Sequence, residues 1–328
     1  MQNANQSTFC VAQSYDTLDY LKSIWPKFLS SGVRLFKMSK KRILFVINPI
    51  SGGKKKTAFN KQVLEVLDLN RFDPTFKITD HANHGYELAT AAVEEGYDAV
   101  VAVGGDGTIN EIGSALVNTD TPLGIIPEGS GNGLALYLGV PMNESAALRR
   151  INRMESTAID CGKIGDRYFF NVAGLGFDAS VSDKFASETF RGPVGYLRTV
   201  INVMSNYKPR KYSLEIDGKA YEREAFMISV ANSPQYGNNA YIAPNASVND
   251  GVLDVCIVRK FPLYTLPLMV FHLFNRTVNQ SEYVEIISGK KILIRQDENA
   301  PVHLDGEPMD LGKEISIEVQ KNALRIIS

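Results

Sequence analysis

The stretch Val101-Ala102-Val103-Gly104-Gly105-Asp106-Gly107-Thr108-Ile109-Asn110-Glu111 constrains this chain most. Residues 98–103 form a short apolar run of the kind a parallel strand buried on both faces requires, and Ile109 opens an amphipathic helix. The glycines therefore fall at a strand-to-helix crossing, the place where an open α/β sheet binds its ligand. Gly104, Gly105 and Gly107 leave backbone amides uncovered by side chains, as a loop wrapping phosphate oxygens at a helix start needs. Asp106 sets a carboxylate beside that anion. The charge makes sense there if it holds Mg²⁺ against the phosphates or takes the proton of an attacking hydroxyl. The alternative is that three glycines and an aspartate form only a tight turn.

The chain around this loop has 328 residues, 44% hydrophobic and 22% charged, enough to bury a full core and to make two domains. A formal net charge of −1 gives no basis for a nucleic-acid partner. Cys10, Cys161 and Cys256 are odd in number and far apart, which argues against a disulfide framework or a zinc site and fits a reducing cytoplasm. Cys161 and Cys256 read as core packing. No run reaches the ~20 apolar residues of a membrane span. The nearest, residues 261–274, is too short and contains Pro262 and Pro267; it reads as a helix packed on the core, with an interfacial helix as the alternative. Residues 1–37 stand apart as an N-terminal extension. Either translation begins at Met38, or residues 15–36, with Leu18, Leu21, Ile24, Trp25, Phe28 and Leu29, form an amphipathic helix.

Strands at 42–47, 76–79, 98–103 and 123–126 alternate with helices. The first runs into Asn48-Pro49-Ile50-Ser51-Gly52-Gly53, before Lys54, Lys55 and Lys56 open a helix without Walker A spacing. The fourth runs into Pro127-Glu128-Gly129-Ser130-Gly131-Asn132-Gly133, whose glycine spacing is not the dinucleotide fingerprint. Three such loops converge on one edge of a doubly wound sheet. From Thr157 the pattern changes to strands and hairpins: 158–164, 167–172, 212–216, 220–230, 252–258, 283–287, 291–295 and 301–304, with Gly165-Asp166 and Asp217-Gly218 as turns. Helices are expected near 179–186, 194–205 and 264–274. The last strands, 314–319 and 323–327, return to the first domain. The expected fold class is α/β + β: a doubly wound, Rossmann-like α/β domain over 38–155 plus 309–328, and a β-rich domain over 156–308.

Five separated pieces carry a resemblance. They are Asn48-Pro49-x-Ser51-Gly52; Gly104-Gly105-Asp106-Gly107-Thr108-x-Asn110-Glu111; Pro127-x-Gly129-Ser130-x-Asn132; residues 244–253 with Asn249-Asp250-Gly251; and Leu304-Asp305-Gly306-Glu307. The second alone is similar to the nucleotide loop of diacylglycerol, sphingosine and NAD kinases and, more loosely, of phosphofructokinases. All five in order resemble the bacterial diacylglycerol kinase catalytic-domain family, related to sphingosine kinases, from about residue 40 to the end.

The resemblance implies an ATP-binding α/β domain followed by a β-sandwich-like lipid kinase domain, the active site in the cleft between them, and Mg²⁺-assisted transfer of the ATP γ-phosphate to a lipid hydroxyl. Carried over by position, it implies ATP contacts from Asn48, Ser51, Gly52, Thr79, Gly104, Gly105, Asp106, Gly107, Thr108, Ile109, Asn110, Glu111, Ser130 and Asn132. Glu307 matches the proton acceptor, with Asp305 beside it and Asp106 at the phosphates. The carbonyls of Ser247 and Val252 join Asp250 in a matched Mg²⁺ site. Asp305-Gly306-Glu307 also reads as a plain hairpin turn.

The implied partner is a lipid at a membrane surface, reached peripherally from the cytoplasmic face through residues 261–274 or through Lys208, Arg210 and Lys211; a homodimer is compatible. One departure is Gly133, where many bacterial members carry Asp; Gly-Ser-Gly-Asn-Gly-Leu-Ala resembles the sphingosine kinase loop instead. Residues 171–178 with Arg191-Gly192 are also similar to the lipid-binding segment of those kinases, where Asp178 pairs with a sphingoid ammonium or caps a helix start. The acceptor is thus a diacylglycerol or a sphingoid base. Two rival readings are an NAD kinase and a nucleotide-binding membrane sensor without turnover.

Overall fold

A computed structural model describes residues 39–51, 57–177, 207–297 and 302–328. The N-terminal extension, Gly52 with Lys54 to Lys56, Asp178, Arg191 and the helices expected near 179–186 and 194–205 lie outside the described residues.

The first half alternates β1 (Lys41–Ile47), α1 (Thr57–Val66), β2 (Phe72–Ile78), α2 (His84–Glu94), β3 (Ala99–Gly104), α3 (Asp106–Leu116) and β4 (Leu123–Pro127), then α4 (Gly133–Tyr137) and α5 (Glu144–Ile151). All residues of β3 and β4 are buried, because helices cover both faces of a parallel sheet. The strands pair in parallel in the order β2-β1-β3-β4. With β2 on one side of β1 and β3 on the other, the carboxyl ends of β1 and β3 flank a topological switch point. β2 starts four residues before the expected strand, since Pro74 is tolerated on an edge.

The second half contributes β5 (Ser156–Ile164), β6 (Arg167–Phe169), β7 (Val172–Gly176), β8 (Arg210–Ile216), β9 (Lys219–Ala225), β10 (Met227–Ala231), β11 (Leu253–Val258), β12 (Val284–Gly289), β13 (Lys291–Gln296), β14 (Val302–Leu304), β15 (Glu307–Met309) and β16 (Glu314–Ile327). Beyond β4 the parallel sheet continues through β16, β13, β8 and β9, with β5 paired to β16 and β6 to β5. A second, antiparallel sheet has the order β12-β11-β10-β7-β14-β15. Alternate residues of the two sheets meet in one core: Leu214, Ile216, Ile292 and Ile294 belong to the same cluster as Ile228, Val230, Val255 and Ile257. Cys161 and Cys256 are free and buried in the flanking cores.

Three strand readings are corrected. The run 167–172 divides at Phe170 and Asn171: β6 stays in the first sheet and β7 joins the second, because the intervening amides are diverted to a carboxylate described below. The run 220–230 divides at Phe226, whose N–H donates to the Val258 carbonyl and whose carbonyl accepts from Phe177. The two final strands are one, bent by a bulge between Gln320 and Leu324, with Asn322 at φ 50°.

Segment 261–274 is a helix as expected, packed along one face only. A 3₁₀ turn (Leu263–Thr265) leads into α6 (Leu266–Phe274), and no residue of either is buried. Phe261, Met269 and Leu273 rest against a core cluster, so the helix packs on the core along one face and leaves the other exposed. The segment is apolar all round, and no polar stripe marked which face would stay outside. No described helix is long and apolar enough to cross a membrane.

Candidate active site

The glycine loops at the ends of β3 and β4 touch through their backbones. A Cβ on Gly105 would lie 3.0 Å from Gly129 Cα, and one on Gly129 would lie 2.6 Å from Gly105 Cα. Gly129 N–H donates to Asn132 Oδ1 at 2.8 Å and its carbonyl accepts from Asn132 Nδ2 at 2.8 Å, so Asn132, at φ 49°, shapes its own loop. Asn48, leaving β1, donates from Nδ2 to Thr108 Oγ1 at 2.9 Å. Three segments far apart in sequence thus enclose the start of α3, where first-turn amides and the helix dipole favour an anion. Gly129→Ala is expected to lower stability by roughly 1–3 kcal/mol in denaturant titration, because the clash is with main chain that cannot rotate away.

A second wall comes from the antiparallel sheet. β14 and β15 are joined by the two-residue turn Asp305-Gly306, at φ 50° and 92°, which places Glu307 as the first residue of β15. Asp305 accepts from Asn110 Nδ2 at 2.8 Å and from the amides of Phe170, Asn171 and Val172 at 2.9, 2.8 and 3.1 Å. Asn110 also donates to the Tyr168 carbonyl, tying α3 to the turn. Buried His303 accepts the Gly306 N–H at Nδ1, a support that only its place two residues before the turn could have suggested. The result is that Glu307 lies over the loop: a Cβ on Gly107 would stand 2.5 Å from Glu307 Oε1.

This crowding of carboxylates governs their protonation. Burial first, and the Asp305 charge second, push Asp106 from the ordinary 3.8 up to about 6, against an opposing hydrogen bond from Gly133 N–H to its Oδ1 at 2.8 Å. Glu307 is raised by desolvation and then by Glu111 and Asp305, with Arg167 opposing. Burial raises Asp305 too, while its four donors pull the other way. A carboxyl raised in the fold stabilises it while protonated, and that contribution is lost as pH climbs from 3.8 through about 6. Metal-free Asp106→Asn is therefore expected to be more stable than the native protein above pH 7, by up to about 3 kcal/mol, and equal to it near pH 4. Paired denaturant titrations at the two pH values check this.

The remaining expected residues divide. Ser51 Oγ donates to the Asn48 carbonyl, Thr79 N–H, just past β2, donates to the Ile47 carbonyl at the end of β1, and Ser130 is exposed at the loop tip. Ile109 buries its side chain in the core, leaving only main chain for the site. Glu111 accepts from Asn83 and Gly85 N–H at 2.7 and 3.0 Å, so it ties down the start of α2. Ser247, Asp250 and Val252 belong to another cluster: Asp250 Oδ1 accepts Val252 N–H, and the neighbouring Gly251 N–H donates to buried Asp160, which also accepts from Asn322 of β16. Asp80, His81 and His84 could hold a metal ion beside Thr79, but they also pair with one another, His84 Nδ1 lying 2.7 Å from Asp80 Oδ1.

Gly133 has a local cause. A Cβ there would lie 2.8 Å from the Tyr236 carbonyl oxygen, so no larger residue is seated without moving the 236–238 segment, itself bonded through Asn238 N–H to the Gly131 carbonyl.

A parallel sheet with glycine loops at its carboxyl edge, walled by an antiparallel sheet, is the architecture of a phosphate-ligand-binding α/β protein. The chain belongs to the diacylglycerol kinase catalytic-domain family: that domain matches residues 42–164, and the YegS C-terminal NAD kinase beta sandwich-like domain matches residues 171–328. It is 28% identical over 274 residues to the diacylglycerol kinase of Bacillus subtilis, 81% of this chain and 90% of that one. It is 30% identical over 238 residues to a protein of Chromohalobacter salexigens named "Probable lipid kinase YegS-like", 71% of this chain and 76% of that one. Among solved structures, a diacylglycerol kinase from Bacillus anthracis shares the fold with a TM-score of 0.68 at 20% identity, over 88% and 97% of the two chains. The protein is thus an enzyme, a lipid kinase.

Proposed function

We propose that this protein transfers the γ-phosphate of ATP to the hydroxyl of a diacylglycerol-type lipid, working peripherally at the cytoplasmic face of a membrane. The observation that carries the reading is the meeting of Glu307 with Gly107: a carboxylate from the antiparallel sheet stands at the anion-binding loop of the parallel one. The nucleotide domain takes residues 38–155 with 309–328, and the β-rich domain 156–308.

Phosphoryl transfer needs alignment and charge neutralisation more than covalent chemistry. The main-chain N–H groups at Gly104 to Thr108 and at Ser130 hold the phosphates, with Asn48, Ser51 and Thr79 at the neighbouring strand ends. Asp305 is a positioning residue rather than a proton acceptor, since four donors occupy its oxygens. Glu307 accepts the proton of the lipid hydroxyl as that oxygen bonds the γ-phosphorus and the bond to the bridging oxygen of ADP breaks. Mg²⁺ suits donor sets made only of oxygen, Asp106 at the loops and Asp250 with the Ser247 and Val252 carbonyls, and when bound it screens phosphate charge. The packing reason for Gly133 removes its value as a sign of a sphingoid acceptor, and the relatives named diacylglycerol kinase favour the glycerolipid.

The test is incubation of the enzyme with ATP, Mg²⁺ and mixed lipid vesicles, followed by mass spectrometry of the lipids. Phosphorylated diacylglycerol is expected. A phosphorylated sphingoid base would replace the acceptor, and no phosphorylated lipid together with no calorimetric uptake of ATP would end the proposal.

A further inference from the structure

Leu263, Tyr264, Leu268, Val270, Phe271 and Phe274 are 44–82% exposed, all within one 3₁₀ turn and one nine-residue helix. Single exposed apolar side chains are ordinary, whereas a contiguous set of six marks an interaction surface. The patch is not loose chain. Leu273 gives its carbonyl to Tyr241 N–H at 2.8 Å, Ser281 Oγ meets Met269 Sδ at 3.2 Å, and Met269 and Leu273 pack inward one turn apart. The inner face is therefore anchored and the outer face is presented.

Charge identifies what covers it. Arg259 and Lys260 precede the segment and Arg276 follows it, all exposed, and no acidic residue occurs between Asp254 and Glu282. An apolar face bracketed by cations matches an anionic lipid surface: the side chains enter the acyl boundary while the cations meet phosphate. A second copy fits worse, because a two-fold contact would set like cations of the two copies against each other, while the nearest carboxylates, Glu282 and Glu285, lie on the strand side beside Arg259 rather than within the apolar face. At about 1.5 Å per residue α6 spans roughly 14 Å, too short to cross a hydrocarbon core of about 30 Å.

We infer that the outer face of α6 and its preceding 3₁₀ turn dock the enzyme on anionic phospholipid bilayer without spanning it. The inference rests on the lipid-kinase reading, which puts the acceptor in that bilayer.

The experiment compares the native chain with Leu268→Gln/Phe271→Gln/Phe274→Gln in flotation with vesicles of 7:3 phosphatidylcholine and phosphatidylglycerol. These side chains are already in solvent, so an unchanged melting temperature is expected. The native protein should float and the triple variant should lose at least tenfold in vesicle binding, with equal turnover of a short-chain, monomeric diacylglycerol by both. Equal flotation of the two overturns the inference. So does a native dimer that the variant reduces to a monomer while vesicle binding is unaffected. Failure of the native enzyme to phosphorylate the monomeric lipid would count against the kinase reading alone, since flotation is scored without turnover.

Discussion

On the proposed mechanism Glu307→Gln is expected to lower kcat about 10³-fold while leaving KM for ATP within about threefold, because it would remove the one proton acceptor and little else. Glutamine keeps the length and the contact over Gly107, so the loop on which it rests should be undisturbed. The native carboxylate is lifted by desolvation and by Glu111 and Asp305, which makes it a stronger base than an ordinary glutamate. Transfer should fall with acid as Glu307 takes up a proton, and the variant should lose that limb of the profile. Steady-state kinetics across pH decide the matter; near-normal turnover by Glu307→Gln would remove the residue from its role.

Asp305→Ala should be the most damaging single change for the fold. It leaves Phe170, Asn171 and Val172 N–H and Asn110 Nδ2 without their acceptor, and even partial loss of such bonds amounts to roughly 3 kcal/mol or more. The same bonds hold the break between β6 and β7, so both sheets are affected together. Asp305→Asn separates position from stability. It retains a carbonyl acceptor but removes the charge that raises both Asp106 and Glu307, so the acid limb of the rate profile should move to lower pH. A purely structural loss would leave that limb in place, and an unmoved limb in folded Asp305→Asn would show that the charge has no part in tuning the site.

Much of this candidate site is legible in the sequence. The β3-loop-α3 unit could be read because strand burial and helix periodicity are local and the glycines fall between them. Asp305-Gly306 was legible as a turn because both residues tolerate positive φ. The division of labour within the motifs was not. Asn110, Glu111 and Ile109 follow one another in α3, yet one reaches Asp305, one ties down α2 and one fills the core, because consecutive helix positions point about 100° apart and each direction meets a different neighbour. The outward face of α6 was illegible for the opposite reason: with apolar residues on all sides, periodicity carried no direction.

By itself the sequence determined the parallel sheet, the glycine loops that follow β3 and β4 at its edge, the change to antiparallel hairpins near residue 157 and the family. These rest on local backbone preference and the period of the apolar pattern. Tertiary structure alone decided that Glu307 rests on Gly107, that Asp305 is an anchor, and that Gly133 is required by the Tyr236 carbonyl. Such facts depend on where sheets join far along the chain, and steric contact between distant segments leaves no periodic trace in the residues that make it.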